Sequence, residues 1–244
     1  ALASLIVADY DKRTRELTIG KDKSGNDRRI LLPTSAAALF VYAAAFSYAY
    51  VGLAAATGAL LLFGAVQLTM LGRAFALGER LRPRQWFGLA LALAGLAVLL
   101  LPGLAAPPAL NAALMLAAGV AWGVYSLRGR GAIDPLAVTA GNFVRTLPIS
   151  LGLSALAWRG AMVDANGALA AMASGALASG LGYALWYAVL PSLRASTAGI
   201  VQLSVPVLAA LGGIALLGEP IGWRFAAAAV LTLGGVALAT LRAR

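Results

Sequence analysis

Neither cysteine nor histidine occurs among the 244 residues, and charged side chains make up 11% of them. The first absence removes thiol nucleophiles, disulfides, imidazole bases and nearly every transition-metal site. With no paired acids to replace them, the chain is read as a non-enzyme with no catalytic residues, no metal site and no cofactor. The second absence concerns the solvent, since a water-soluble domain carries roughly 25% charged residues. Together with a hydrophobic fraction of 61% and a mean hydropathy of +0.86, it points to lipid. Acids are scarcest of all: residues 30–244 contain only Glu79, Asp134, Asp164 and Glu219.

What is present is a series of apolar runs. They fall at about 31–53, 56–77, 85–103, 109–127, 135–158, 167–190, 196–217 and 223–241, each long enough to cross a bilayer as a helix. These runs are apolar on every side, unlike the helices of a soluble bundle. The breaks between them, such as GERLRPR at 78–84 and PGLAAPP at 102–108, hold helix-ending residues. Residues 1–8 read as the tail of another span without a signal-peptide pattern, and the strongly charged residues 9–29 as an aqueous loop. The expected fold class is therefore all-α, a polytopic membrane bundle with about eight complete spans.

The net charge of +10 does not indicate nucleic acid, because the basic residues lie between spans and form no continuous stripe. Loops on one side (9–29, 73–84, 128–134, 191–195 and the tail after 241) hold sixteen Lys and Arg, whereas the opposite loops hold Arg159 and Arg224. This contrast places the first set and the C-terminus in the cytoplasm of a bacterial-type inner membrane.

Gly78-Glu79 recurs as Gly218-Glu219, and at the same spacing of 140 residues Thr57, Leu68, Gly72, Leu77, Arg84 and Gly95 meet Thr197, Leu208, Gly212, Leu217, Arg224 and Gly235. Five spans separate the two copies, an odd number, so the halves insert upside down relative to one another. Two repeats are expected, 1–103 and 104–244, each a five-helix half. The same register asks for partners of the 109–127 and 135–158 spans before residue 1. The expectation is a chain lacking about one and a half N-terminal helices, or else an incomplete repeat. Inverted repeats of this kind build alternating-access transporters.

These residues resemble the EamA-type proteins of the drug/metabolite transporter superfamily. The likeness is carried by Gly78-Glu79 followed by WFGLALALAGLAVLLLPG, by TAGIVQLSVPVLAALGGIALLGEP at 197–220 and by LTLGGVAL at 231–238. It covers nearly all of the chain from about residue 36. The resemblance implies ten helices in two inverted halves and a small-molecule substrate crossing the lipid bilayer. A lipid-carrier flippase or a non-transporting protein on the same fold is the alternative. Homodimerisation is left open. Substrate, direction and coupling ion are not readable.

Arg145 lies within a span, with Asn142 one turn earlier. It serves either as a cationic anchor for substrate or as a snorkelling surface residue. Gln67 and Gln202 need partners at depth, from a neighbouring helix or from substrate, and Pro206 frees the carbonyl of Gln202. Trp122 and Tyr125 share a face with Met115 and Ala118, and Trp186 and Tyr187 share another helix with Tyr183. Such aromatic rows line a solute pocket or belong to an interfacial belt, the latter fitting Trp86, Trp158 and Trp223. Glu79 and Glu219 suit capping better than proton transfer, which leaves no carboxylate at membrane depth and no support for proton coupling. Gly88 to Ala92, Gly175 to Ser179 and Ala178 to Gly182 are spaced for close helix packing.

Overall fold

The computed structural model describes residues 8–11, 16–21, 27–31, 33–100, 107–130, 134–157, 164–217 and 222–241. Three short strands come first: β1 (Ala8–Asp11), β2 (Glu16–Lys21) and β3 (Asp27–Leu31). Helices follow as α1 (Pro33–Ala49), α2 (Ala55–Ala76), α3 (Pro83–Leu100), α4 (Ala109–Gly129) and α5 (Pro135–Ala157). Then come α6 (Ala165–Ala173), a π turn over Ser174–Ser179, α7 (Gly180–Val189), α8 (Ala195–Gln202), α9 (Val205–Leu217) and α10 (Trp223–Thr240).

The described residues of all eight apolar runs are helical to within a few residues, while 101–103 and 158 lie outside the described residues. Among the described residues seven segments are long and apolar enough to cross a membrane, and a shorter apolar helix covers Thr34–Ala49. Proline at the first position of α1, α3 and α5 costs no hydrogen bond there and presets the helical φ. The 196–217 run is interrupted after Gln202. Leu203 and Ser204 bond back three residues, to Ile200 and Val201, because Pro206 cannot donate to the Gln202 carbonyl.

The expectation for residues 8–29 needs correction. β1, β2 and β3 form an antiparallel sheet in sequence order, with Ala8 opposite Ile19, Tyr10 opposite Leu17, and Leu17 opposite Ile30. Ala8 thus belongs to a strand and not to a helix tail, and residues 1–7 lie outside the described residues. The charge density of 9–29 concealed a short alternation, Leu17-Thr18-Ile19-Gly20, whose period of two suits a strand in water.

The chain divides into two compact units. One comprises the described residues of Ala1–Phe40 and Tyr125–Ser192, the other those of Val41–Val124 and Leu193–Arg244. The second is organised around α3 and α10. A Cβ on Gly88 would lie 2.5 Å from the Gly235 carbonyl oxygen, one on Gly235 would lie 2.5 Å from the Gly88 oxygen, and one on Gly95 would lie 2.8 Å from the Ala228 oxygen. Thr232 Oγ1 donates to the Ala92 carbonyl at 3.5 Å. Residue 88 meets 235, 92 meets 232 and 95 meets 228, so the helices run antiparallel. An offset of 140 residues turns the first contact into the third and returns the middle one to itself. The crossing is self-complementary, as at a two-fold axis. Leu89, Leu96, Leu100, Ile200 and Leu203 close the apolar core beside it.

Of the three small-residue spacings, Gly88–Ala92 makes this contact. Gly175 and Gly182 have open space where a Cβ would stand, and the segment around Gly175 takes up a π turn.

The glycines of the crossing generate a prediction. Gly88→Val forces a side chain into backbone and should destabilise the protein by about 2 kcal/mol or more. Gly234→Ala, with nothing within 4 Å, should be neutral or stabilising by up to about 1 kcal/mol. Thermal unfolding in detergent checks both.

Candidate functional site

Each unit assembles one polar and aromatic cluster. In the first, Tyr125 on α4 and Tyr187 on α7 are almost fully buried. The Tyr187 hydroxyl donates to the Tyr125 carbonyl at 3.2 Å, and the Tyr125 hydroxyl reaches Thr139 Oγ1 on α5 at 3.3 Å. Their rings meet edge-on at 5.5 Å. Tyr183 lies 6.4 Å from Tyr187 and meets the Phe143 ring of α5 edge-on at 5.0 Å. Trp186 donates its indole N–H to Ser126 Oγ at 3.3 Å. Residue 129 is glycine because the Tyr187 ring occupies the space of a side chain there.

Through this cluster α5 presents a buried polar stripe of Thr139, Asn142 and Thr146, at helical spacing. Thr139 bonds Tyr125, and Thr146 Oγ1 donates to the Phe143 carbonyl at 2.7 Å. Asn142 is fully buried, and among the described residues neither amide atom has a partner.

The second unit's cluster joins α2, α4 and α8. Trp122 Nε1 donates to Gln202 Oε1, and Gln202 Nε2 points at Met70 Sδ, 2.9 Å away. Gln67 Nε2 donates to the Gly199 carbonyl at 2.5 Å. The Tyr42 ring lies 5.0 Å from Trp122, and Phe46 on α1 and Tyr50 just past its end continue the aromatic row. Hydrogen bonds between polar side chains of different helices replace the water that lipid does not supply.

Residues 110–241 match the EamA-like transporter family. The chain belongs to that family. An uncharacterized protein of Pseudomonas aeruginosa, PA1977, is 59% identical over 204 residues, spanning 83% of this chain and 71% of the relative. A solved crystal structure superposes with a TM-score of 0.73 at 26% identity, covering 86% of this chain and 76% of that one. The protein is thus an EamA-like membrane transporter with several membrane-crossing helices.

The eight expected site residues divide between the clusters of this EamA-like chain. Tyr125, Trp186, Tyr187 and Asn142 gather in the first unit; Trp122, Gln67 and Gln202 gather in the second. Arg145 stands apart. It is exposed, three residues beyond buried Asn142, with its guanidinium 2.9 Å from where a Cβ on Gly141 would stand. Asn142 and Arg145 differ because one turn is not a whole number of residues, and α5 packs only one side of that edge. Trp86 and Trp223 are exposed at helix starts, whereas Trp158 and Glu219 lie outside the described residues.

The described acids of the bundle, Glu79, Asp134 and Asp164, hold helix ends. Asp134 Oδ1 accepts from Ala137 N at 2.9 Å and Asp164 Oδ1 from Gly167 N at 2.5 Å, capping α5 and α6. Glu79 acts across the fold. Gly78, at φ +78°, ends α2 in a left-handed turn, with Glu79 N bonded to the Ala74 carbonyl. That turn aims the Glu79 carboxylate at the start of α8, where it accepts from Ala195 N (3.2 Å), Ser196 N (3.3 Å) and Ser196 Oγ (2.7 Å). A negative charge at a helix N-terminus is favourable, so the Gly-Glu pair is a turn and a cap.

Sequence reasoning missed two contributors. Arg128, assigned to a loop, lies in the last turn of α4, where Nε donates to buried Ser35 Oγ at 2.7 Å. Asn111 Nδ2 caps the end of α1 through the Tyr48 and Ala49 carbonyls, at 3.3 and 3.2 Å. Neither contact has a signal in sequence spacing, for the partners are more than 60 residues away.

Glu79→Ala should lower stability by about 1–2 kcal/mol, the cost of a lost cap with two orphaned backbone donors. Detergent unfolding of Glu79→Ala beside Glu79→Gln separates the hydrogen bonds from the charge: the glutamine variant should recover part of the loss.

Proposed function

We propose that this EamA-like protein is a secondary transporter of small metabolites, amino-acid-like or amphipathic organic solutes, working by alternating access in a bacterial-type inner membrane with its C-terminus in the cytoplasm. The observation that carries the reading is the antiparallel crossing of α3 and α10, whose contacts exchange under the same 140-residue offset that relates the sequence halves. Two copies of one module inserted in opposite senses have two equivalent arrangements. Each arrangement closes the side that the other leaves open.

The solute-handling groups in this reading are Tyr125, Asn142, Trp186 and Tyr187 in one unit and Trp122, Gln202 and Gln67 in the other. They are aromatic surfaces with a few hydrogen-bonding heads, the composition that small amphipathic solutes require. Burial, and interhelical bonds at Trp122, Gln67, Gln202 and Trp186, support their placement at depth. Exposed Arg145 is assigned the snorkelling role, its aliphatic stem along α5 and its charge toward the polar interface.

Purified protein in vesicles, tested against a panel of radiolabelled amino acids and amphipathic drugs, should move at least one solute down its gradient. Trp122→Ala should cut the initial rate about tenfold or more, while Leu156→Ala, on the exposed side of α5, should leave it within twofold. Unchanged flux in Trp122→Ala removes that residue from the set, and absent flux across the panel counts against transport of such solutes. Reporter fusions should place residues 80–82 in the cytoplasm and residue 222 outside; the same compartment for both would overturn the inverted arrangement.

A further inference from the structure

We propose that Asn142 is the head-group site of the transported solute, and that the group it takes is uncharged: a carboxamide, ureido or lactam unit carried on a flat apolar body. The inference rests on the transport reading above and narrows its substrate class.

Asn142 is fully buried in α5, and both Nδ2 and Oδ1 lack a partner among the described residues. A carboxamide offers two donors and a two-fold acceptor, and leaving such a group dry costs about 1–3 kcal/mol. Its neighbours on the same stripe show that the site could satisfy itself. Thr139 is met by the Tyr125 hydroxyl, and Thr146 bonds its own helix at the Phe143 carbonyl. The glutamines of the other unit each have an interhelical bond, Gln67 Nε2 to Gly199 and Gln202 to Trp122, and Gln67 leaves only its Oε1 without a partner among the described residues. An asparagine retained for packing or for interhelical bonding would show such a bond. One whose amide is left open in a buried setting is suited to a partner that comes and goes.

The chemistry of that partner follows from the amide itself and from the polar and aromatic side chains of the same unit. A group presenting one donor beside one acceptor meets the Asn142 amide edge to edge, as two carboxamides do. The buried polar side chains on the same stripe of α5 are the uncharged Thr139 and Thr146, with the Tyr125 hydroxyl bonded to Thr139. Arg145, one turn along, is exposed, and Arg128 is engaged with Ser35 at the end of α4. Bringing a carboxylate or an ammonium group here would mean desolvating it, far costlier than burying a neutral amide. The Tyr125, Tyr183, Tyr187 and Phe143 rings, at centroid separations of 5.0–6.4 Å, supply aromatic surface for a planar body.

Benzamide and benzoate test this, having the same ring and nearly the same shape but different heads. Binding is read by tryptophan fluorescence and by the melting temperature of the purified protein in detergent. Benzamide should bind saturably and raise the melting temperature, and benzoate should bind at least tenfold more weakly. Asn142→Leu should weaken benzamide at least tenfold while leaving the ligand-free melting temperature unchanged or higher, since an open amide is replaced by an apolar group of similar size. Asn142→Ala gives the same contrast in affinity should leucine overfill the site. Benzoate binding as tightly as benzamide overturns the proposal. So does benzamide affinity that survives both substitutions, and so does an Asn142→Leu protein that melts lower with its benzamide affinity intact, the mark of a structural role. Because the readout is equilibrium binding, protein that binds benzamide yet moves no solute in vesicles refutes transport alone. Protein that moves solutes but prefers benzoate refutes only the head-group assignment.

Discussion

Two helix backbones touch at Gly88, Gly95 and Gly235, and the second compact unit is built on that contact. In lipid no hydrophobic force drives helices together, because the solvent is as apolar as the side chains. Close approach of backbones, with many small dispersion contacts, takes its place. Each glycine permits a separation that any Cβ would prevent, and Thr232 adds a hydrogen bond at the centre of the crossing. The contact is also self-complementary, so one small patch, used twice, both fastens α3 to α10 and sets them antiparallel. In the transport reading this patch is also where the two inverted modules meet, so packing and mechanism depend on the same atoms.

Polar groups obey the complementary rule. Each one carried into the bundle must find a partner within the protein. Gln202, Trp122, Trp186, Ser126 and the Nε2 of Gln67 do so across helix interfaces, and Asp134, Asp164 and Glu79 do so at helix N-termini. The scarcity of acids and their positions have one explanation: a carboxylate is tolerated where backbone N–H groups would otherwise be orphaned. Gln67 Oε1 has no partner among the described residues, and Asn142 departs furthest with both amide atoms open there; the head-group proposal grows from that departure.

Much of this architecture was legible from residue types alone. Runs of apolar residues of bilayer length have few alternatives to helix, so all eight were placed to within a few residues. Proline at position 206 pointed to the interruption between α8 and α9, where the Gln202 carbonyl loses its donor, whereas Pro148 is accommodated inside a continuous α5. The strands were hidden because charge density in residues 9–29 outweighed a four-residue alternation. Candidate site residues were found as types and spacings, but which of them were buried was not. Asn142 and Arg145 are one turn apart, yet one is enclosed and the other exposed, because the edge of a packed face runs between them.

Sequence by itself determined the solvent, the positions of the apolar runs, the internal echo at 140 residues and the lack of thiol and imidazole side chains. Those properties depend on composition and order along the chain, which no packing can alter. Tertiary structure decided which residues meet: Glu79 with the start of α8, Arg128 with Ser35, Asn111 with the end of α1, and Gly88 with Gly235. These partners lie 60 to 150 residues apart. Their meeting depends on how each helix is rotated and paired, and helices apolar on every side carry no stripe that announces it.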